Sequence, residues 1–240
     1  LSMAIPGEAY LALEDIVGPE NISEETAVLD SYAFQWLAEF RQHGSKFMPR
    51  AGAVVLPGST EEVQAVVKIC NRYKLKYKAH STGWGLYGAP IAENAIQLDM
   101  RRMDRILEID ERNVFAVIEP YVIGATLQAE AMKVGLNAHI IGAGASCSPL
   151  ASATPFQGAG PDSIFMGTSP ENLLAAEWVM PTGEVLRAGS LGSGLGWFSG
   201  DGPGPSLRGV FRGALGAAGG LGIFTKVAVK LYPWPGPAEM

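Results

Sequence analysis

A chain of 240 residues, 48% hydrophobic and 18% charged, can bury a substantial core as one large domain or two small ones. A net charge of −6 with scattered basic residues argues against a nucleic-acid surface, which needs clustered Lys and Arg. No apolar run reaches the roughly 18 residues of a membrane span, and "LSMAIPGEAY" has a Pro and a Glu where a signal peptide is apolar, so a cytoplasmic protein is expected.

Residues 1–50 read as helical. "AYLALEDIVG" and "SYAFQWLAEFRQHG" carry apolar residues at helical spacing and stop at glycines, with "PENISEETAVLD" as a polar connector. "AVVLP" is a short buried strand, and "STEEVQAVVKICNRY" is a helix opened by a capping box of Ser59 and Glu62. Val63, Val66, Val67 and Cys70 share one face, which makes Cys70 a core residue. "KYKA" is the next strand, and the strand–helix–strand order implies parallel pairing with a right-handed crossover.

From Ile96 the pattern changes. "AIQLDM", "RILEID" and "VFAVIEP" are strands joined by short turns, which suits antiparallel pairing. "ATLQAEAMKVG" is a helix ending at Gly135. The long aperiodic run "HIIGAGASCSPLASATPFQGAGPDSIFMGTS" reads as a functional loop. "LLAAEWVMPTGEVLRAG" is a hairpin around Pro181, Thr182 and Gly183. "LGSGLGWFSGDGPGPS" is a second glycine-rich loop, "LRGVFRG" starts a helix, and "IFTKVAVKLYPWP" is a closing strand. The basic groups "RRMDR" and "KLKYK" read as solvated surface. Cys70 and Cys147 fit no zinc spacing, and His43, His80 and His139 are dispersed, so no metal site is expected.

"KAHSTGWGLYGAP" contains GWGLYG, a literal G-x-G-x-x-G. A Rossmann loop must lead into a helix whose N-terminus meets the pyrophosphate. Here only residues 89–95 separate Gly88 from the next strand, and they carry no apolar stripe. Glu108 stands about 20 residues on, as the Rossmann ribose acid would, but without the helix this is coincidence. The unit is therefore strand–glycine loop–strand. Such a loop can still bind an anion through successive backbone N–H groups.

The order "AVVLPGSTEEV", glycine loop, "IQLDMRRMDRILEID", "AVIEPYV", "VMPTGEVLRAG", "GALGAAGGLGIFTKVAVKL" and "PWPG" resembles the FAD-binding (PCMH-type) half of the vanillyl alcohol oxidase and p-cresol methylhydroxylase superfamily, over about residues 50 to 236. "GWGLYGAP", "MDRILEID" and "GPGPSLRGVF" are most similar to its phenol-oxidising branch, with the D-lactate and glycolate dehydrogenase branch as runner-up. The resemblance implies an α+β fold of two subdomains that clamp FAD between them. A small strand–helix–strand subdomain would span 51–105, after the helical segment 1–50. A larger, mostly antiparallel sheet with helices would span 106–236.

The resemblance also implies site residues. His80, Ser81, Thr82, Gly83, Trp84, Gly85, Leu86, Tyr87 and Gly88 match the pyrophosphate loop. The aperiodic run matches a segment lying along the cofactor, which implicates Gly142, Gly144, Ser146, Ser148, Ser152, Thr154 and Gly158. Its usual Gly-Gly-Asn is absent, and Ser152 stands near the Asn position. Gly222 and Ile223 would bind the adenine end, and Pro120 of "EPYV" lies on the cofactor wall with Tyr121 as a neighbour. Cys147 falls near a linking cysteine of doubly attached relatives, but noncovalent FAD is expected.

The implied activity is hydride transfer from an alcohol, phenol or 2-hydroxy acid to FAD. Catalytic residues are not identifiable, because the family's second, cap domain supplies most of them together with the substrate contacts. This chain is expected to lack that domain and to be incomplete for catalysis, with a cap or partner subunit completing the site. Two alternatives remain: an FAD-carrying module without turnover, and a phosphosugar- or nucleotide-binding regulator using the same glycine loops.

Overall fold

The structure, a computed structural model, describes residues 5–34, 48–84, 92–197, 208–213 and 222–237. The chain divides into two units, Leu1–Arg102 with Pro181–Glu184, and Met103–Met180 with Val185–Met240.

The first unit begins with α1 (Gly7–Val17), followed by a 3-10 turn at Pro19–Asn21, β1 (Ile22–Ser23) and α2 (Thr26–Ala33). The polar connector read from the sequence is therefore partly structured. Its Ile22 is buried and pairs with Val55, and its end, from Thr26, already forms α2. The expected helix "SYAFQWLAEFRQHG" is corrected at its start: α2 ends at Ala33 and Phe34 is already extended, while 35–47 lie outside the described residues.

Next come β2 (Ala53–Val55), α3 (Thr60–Arg72), β3 (Tyr77–His80) and β4 (Ile96–Asp99). The sheet order is β1-β2-β4-β3. Here the structure corrects the sequence reading of "AIQLDM". β4 is not part of an antiparallel set; it is parallel to both β2 and β3 and lies between them. A strand in that central place is covered on both faces, which is why all four β4 residues are buried.

The α3 helix forms for the expected reasons. Val63, Val66, Val67 and Cys70 are buried along one face, and burial pushes the Cys70 thiol up to about 12. The Glu62 N–H donates to Ser59 Oγ at 3.2 Å. The return bond of the box differs from expectation: Glu62 Oε2 accepts from the Gly58 N–H at 2.8 Å and also pairs with Arg102. Gln64 and Asn71 of α3 donate to the carbonyls of Gly183 and Pro181, both at 2.7 Å. Burial also lowers Lys78 on β3 to about 8, so this lysine is not a plain surface cation.

The second unit holds β5 (Ile106–Asp110), β6 (Phe115–Ile118), α4 (Gly124–Met132), β7 (Leu136–Ala138), α5 (Pro149–Ala153), α6 (Ser163–Met166), β8 (Leu173–Val179), β9 (Val185–Ala188), α7 (Arg208–Phe211) and β10 (Ile223–Pro233). The strands run β5-β6-β10-β8-β9, all antiparallel, and β7 pairs with the far end of β10. The hairpin at 181–183 stands as expected. β7 was not foreseen: at three residues, Leu136–Ala138 is too short to show a period. Both faces of the sheet are covered. Ala116 and Ile118 join the larger core with Leu127, Leu150 and Val227, while Phe115 and Val117 pack with Ala175 and Ala228. Within the larger core Trp178 and Phe224 stack and Phe211 meets both edge-on, with centroids 5.0 to 5.7 Å apart.

"RRMDR" is more than solvated surface. Arg101, Arg102 and Arg105 pair with Asp99, Glu62 and Glu119, and Asp99 and Glu119 are fully buried. A buried carboxylate needs such a partner, because its desolvation is otherwise uncompensated.

Ser59→Ala should destabilise the chain by about 1 kcal/mol through loss of the α3 cap, read as a lower denaturant midpoint at unchanged slope.

Candidate functional site

In the first unit, β3 ends at His80, whose carbonyl accepts the Met100 N–H at 2.9 Å. The chain then turns. Ser81 and Thr82 are half-buried, and Gly83 is exposed with φ +76. That left-handed conformation suits glycine, and a Cβ there would stand 3.2 Å from the His80 ring. Trp84 follows, 51% exposed. Gly85, Leu86, Tyr87 and Gly88 lie outside the described residues.

In the second unit, the aperiodic run is built by tight backbone packing. The Gly142 N–H donates to the Ala159 carbonyl at 2.8 Å, and the N–H groups of Gly124 and Ala125, opening α4, donate to Cys147 and Ala145. Ser148 caps α5: its hydroxyl donates to the Pro120 carbonyl at 2.6 Å and accepts the Ala151 N–H at 3.2 Å. Ser152 and Thr154 are buried and donate to the carbonyls of Ser148 and Leu150, four residues back. Their hydroxyl protons are thus engaged inside the protein. Thr154 has no exposed surface, and its hydroxyl donates inside the protein. Gly158 is also internal: a Cβ would come within 2.4 Å of Ile141 Cγ2 and 2.6 Å of Ser169 Oγ. Gly142 and Ser146 are exposed, and Gly144 has φ +132 with only Ser146 Oγ near its missing Cβ.

A small cavity of about 10 Å³, the room of one water, is lined by Gly124, His139, Ile140, Gly144, Cys147 and Ser152 among others. It brings Gly144 and Ser152 together beside Cys147, whose thiol is pushed up by burial. His139 was set aside from sequence as a dispersed histidine. The structure makes it the centre of a buried polar cluster. Its Nε2 lies 2.9 Å from Ser163 Oγ and 3.3 Å from Asp162 Oδ1, and its Nδ1 lies 3.2 Å from Ser169 Oγ. Asp162 Oδ2 accepts the Ile140 N–H, and Ser163 Oγ accepts the Gly160 N–H, both at 2.9 Å. These partners are more than twenty residues away in sequence, and no local period announces them.

At the third segment, Gly222 has φ +152, and a Cβ would meet Trp178 Nε1 and the Val179 carbonyl at 2.3 Å. Ile223 is buried and pairs with Val179. Residues 214–221, with Gly219 and Leu221 of the same motif, lie outside the described residues. Among the described residues there is no cluster of His, Cys, Asp or Glu fit for a metal, and no helix long and apolar enough to cross a membrane.

A family model described as an FAD binding domain matches residues 51–189, more than half of the chain. This chain belongs to the FAD-binding domain family. It is 27% identical over 226 residues to a probable mitochondrial D-lactate dehydrogenase of Danio rerio, covering 93% of this chain and 42% of that protein. It is 30% identical over 192 residues to the 4-cresol dehydrogenase (hydroxylating) flavoprotein subunit of Pseudomonas putida, covering 76% of this chain and 35% of that one. Among solved structures, a 4-ethylphenol oxidase from Gulosibacter chungangensis matches with a TM-score of 0.80 at 26% identity, over 95% of this chain and 44% of that one. The chain thus spans less than half the length of these relatives.

The cofactor of an FAD-binding domain fits what the first unit offers. The turn at Gly83 is exposed, free of a side chain and preceded by two hydroxyls, a donor set suited to a diphosphate.

His139 carries a pH signature. Burial pushes its imidazole below the usual 6.5, and the nearby Asp162 carboxylate opposes the shift without overcoming it. As pH falls below 6.5, the unfolded chain takes up a proton that folded His139 resists, so stability should decline and level off below the folded value. His139→Gln should flatten that acidic limb, as read from denaturant midpoints across the neutral-to-acidic range.

Proposed function

We propose that this chain is the FAD-binding portion of a flavin-dependent oxidoreductase acting on an alcohol, a phenol or a 2-hydroxy acid. The observation that carries it is the glycine turn. An exposed Gly83 in a left-handed conformation, at the end of a parallel strand, stands inside the region that matches the FAD-binding family. The names of the relatives, a D-lactate dehydrogenase and a 4-cresol dehydrogenase, support the substrate range. In this reading 51–105 and 106–236 are the small and large FAD subdomains.

When bound, FAD supplies acceptance of a hydride and its onward passage as electrons. The protein's part is to bind and orient. Ser81 and Thr82 and the backbone N–H groups of residues 83–88 hold the diphosphate, with His80 and Trp84 flanking them. In the second unit, Gly142, Gly144 and Ser146 offer backbone and hydroxyl groups to the cofactor. Pro120, Ser148, Ser152, Thr154 and Gly158 shape that wall from within through the bonds and contacts described above. Gly222 and Ile223 serve the adenine end, where the missing side chain lets the backbone pass against Trp178.

Substrate contacts and catalytic side chains belong, in this reading, to the further length that the relatives possess or to a partner subunit. The coverage of less than half of each relative supports this. It equally favours a second reading, an FAD-carrying module without turnover of its own. A cytoplasmic setting completes the proposal, and two buried, unbridged cysteines are compatible with it.

The purified chain should show flavin absorbance, and acid precipitation should release the flavin into the supernatant. Flavin retained in the pellet would point to a covalent bond through Cys147, and no flavin at all would favour a nucleotide- or phosphosugar-binding regulator. Saturable turnover of a phenol or hydroxy acid by this chain alone would refute its incompleteness.

Gly83→Val should weaken FAD binding by at least about tenfold, or about 1.4 kcal/mol, measured by flavin fluorescence titration. Wild-type affinity in a folded variant would sink the assignment of the loop.

A further inference from the structure

The glycine turn leans on a residue that precedes the family match. Tyr32 belongs to α2, ahead of residues 51–189. Its hydroxyl donates to Asp99 Oδ2 at 2.5 Å. Its ring stands edge-on to the His80 imidazole, with centroids 5.2 Å apart and planes at 74°. The same imidazole is what a side chain at Gly83 would meet, at 3.2 Å. Asp99 ends β4 opposite His80 in the parallel register and is fully buried. Arg101 compensates its charge. Nε and Nη2 donate to Oδ2 at 2.9 and 2.6 Å, and the Arg101 N–H donates to Oδ1 at 2.9 Å. Nη2 also donates to the Tyr32 hydroxyl oxygen at 3.0 Å.

We infer that Tyr32, Asp99 and Arg101 are positioning residues for a dinucleotide diphosphate, acting on the glycine turn through His80. The inference rests on the FAD reading above. Backbone N–H groups bind an anion tightly only when they are held in place before it arrives. Glycine holds no conformation by itself, since it loses more freedom on ordering than any other residue. The turn therefore needs a floor, and the His80 ring is the group beneath Gly83. Tyr32 braces that ring through an edge-to-face contact, and the Asp99 bond fixes Tyr32. The Arg101 fork neutralises Asp99, so that a charge with no access to water can remain in the network. The segment before the matched domain is then part of the cofactor site.

The test uses the full chain with FAD and with ADP, which carries the diphosphate without the flavin. Tyr32→Phe removes one hydroxyl and keeps the ring. At a temperature where both proteins are fully folded, it should weaken FAD and ADP by a similar factor, about tenfold. A residue that only supports folding would lower the melting temperature of the ligand-free chain and leave both affinities unchanged, which would overturn the inference. Weaker FAD with unchanged ADP would overturn the diphosphate assignment. Should Tyr32→Phe fail to fold, Arg101→Lys, which keeps the charge on Asp99 and loses the fork, should show the same parallel loss; its absence would overturn the inference. A wild-type chain that binds no FAD would remove the reading underneath and the inference with it, a result visible before any variant is made.

Discussion

Parallel pairing of β3 with β4 dictates where the turn at Gly83 must lie. A chain that leaves one strand and enters a parallel neighbour has to travel back along the sheet before it can begin the next strand. That return lies between His80, which ends β3, and Ile96, which opens β4. The turn at Gly83 therefore starts at the carboxyl end of the strands, where an open α/β sheet leaves a crevice for ligands. The same insertion of β4 between β2 and β3 brings Asp99 beside His80. The loop, its histidine floor and the buried carboxylate are consequences of one strand order.

Burying carboxylates is costly, and among the described residues it happens three times with a consistent answer. Asp99 is held by Arg101 and Tyr32, Glu119 by Arg105, and Glu177 by Arg187, Lys226 and Thr225. In each case the arginine is half or more exposed while the acid is buried. The stem of the arginine can lie along the protein while its head stays wet, so the pair pays only one full desolvation. Glu119 closes the turn after β6, where its carboxylate takes the Arg105 N–H as well as the guanidinium.

The second unit solves a different problem. An irregular run must stay rigid without a ladder of its own. Hydroxyls on Ser148, Ser152 and Thr154 bond to nearby carbonyls, and Asp162 and Ser163 take N–H groups from Ile140 and Gly160. Glycines at 158 and 160 let segments approach to distances no side chain would allow. The result is an ordered segment that exposes backbone and small side chains at Gly142 and Ser146 and the large apolar side chains of Ile164 and Phe165.

Local pattern was enough for several features. The apolar face of α3, the Ser59 cap, the hairpin at 181–183 and the long strand β10 follow from spacing and turn chemistry, which act over a few residues. The order of motifs was enough for the family, and a G-x-G-x-x-G followed by no apolar stripe at helical spacing was enough to set Rossmann aside. Tertiary structure alone decided the rest. "AIQLDM" alternates apolar Ile96, Leu98 and Met100 with polar Gln97 and Asp99, the pattern of an antiparallel strand with one wet face, and only the fold shows that Gln97 and Asp99 are fully buried between parallel neighbours. β1 and β7 are too short for a period, and their places come from pairing with β2 and β10. The arginines of "RRMDR" look like surface until the carboxylates they hold are located. His139 and Tyr32 carry no signal at all in the chain, since their partners stand tens of residues away and are brought near only by folding.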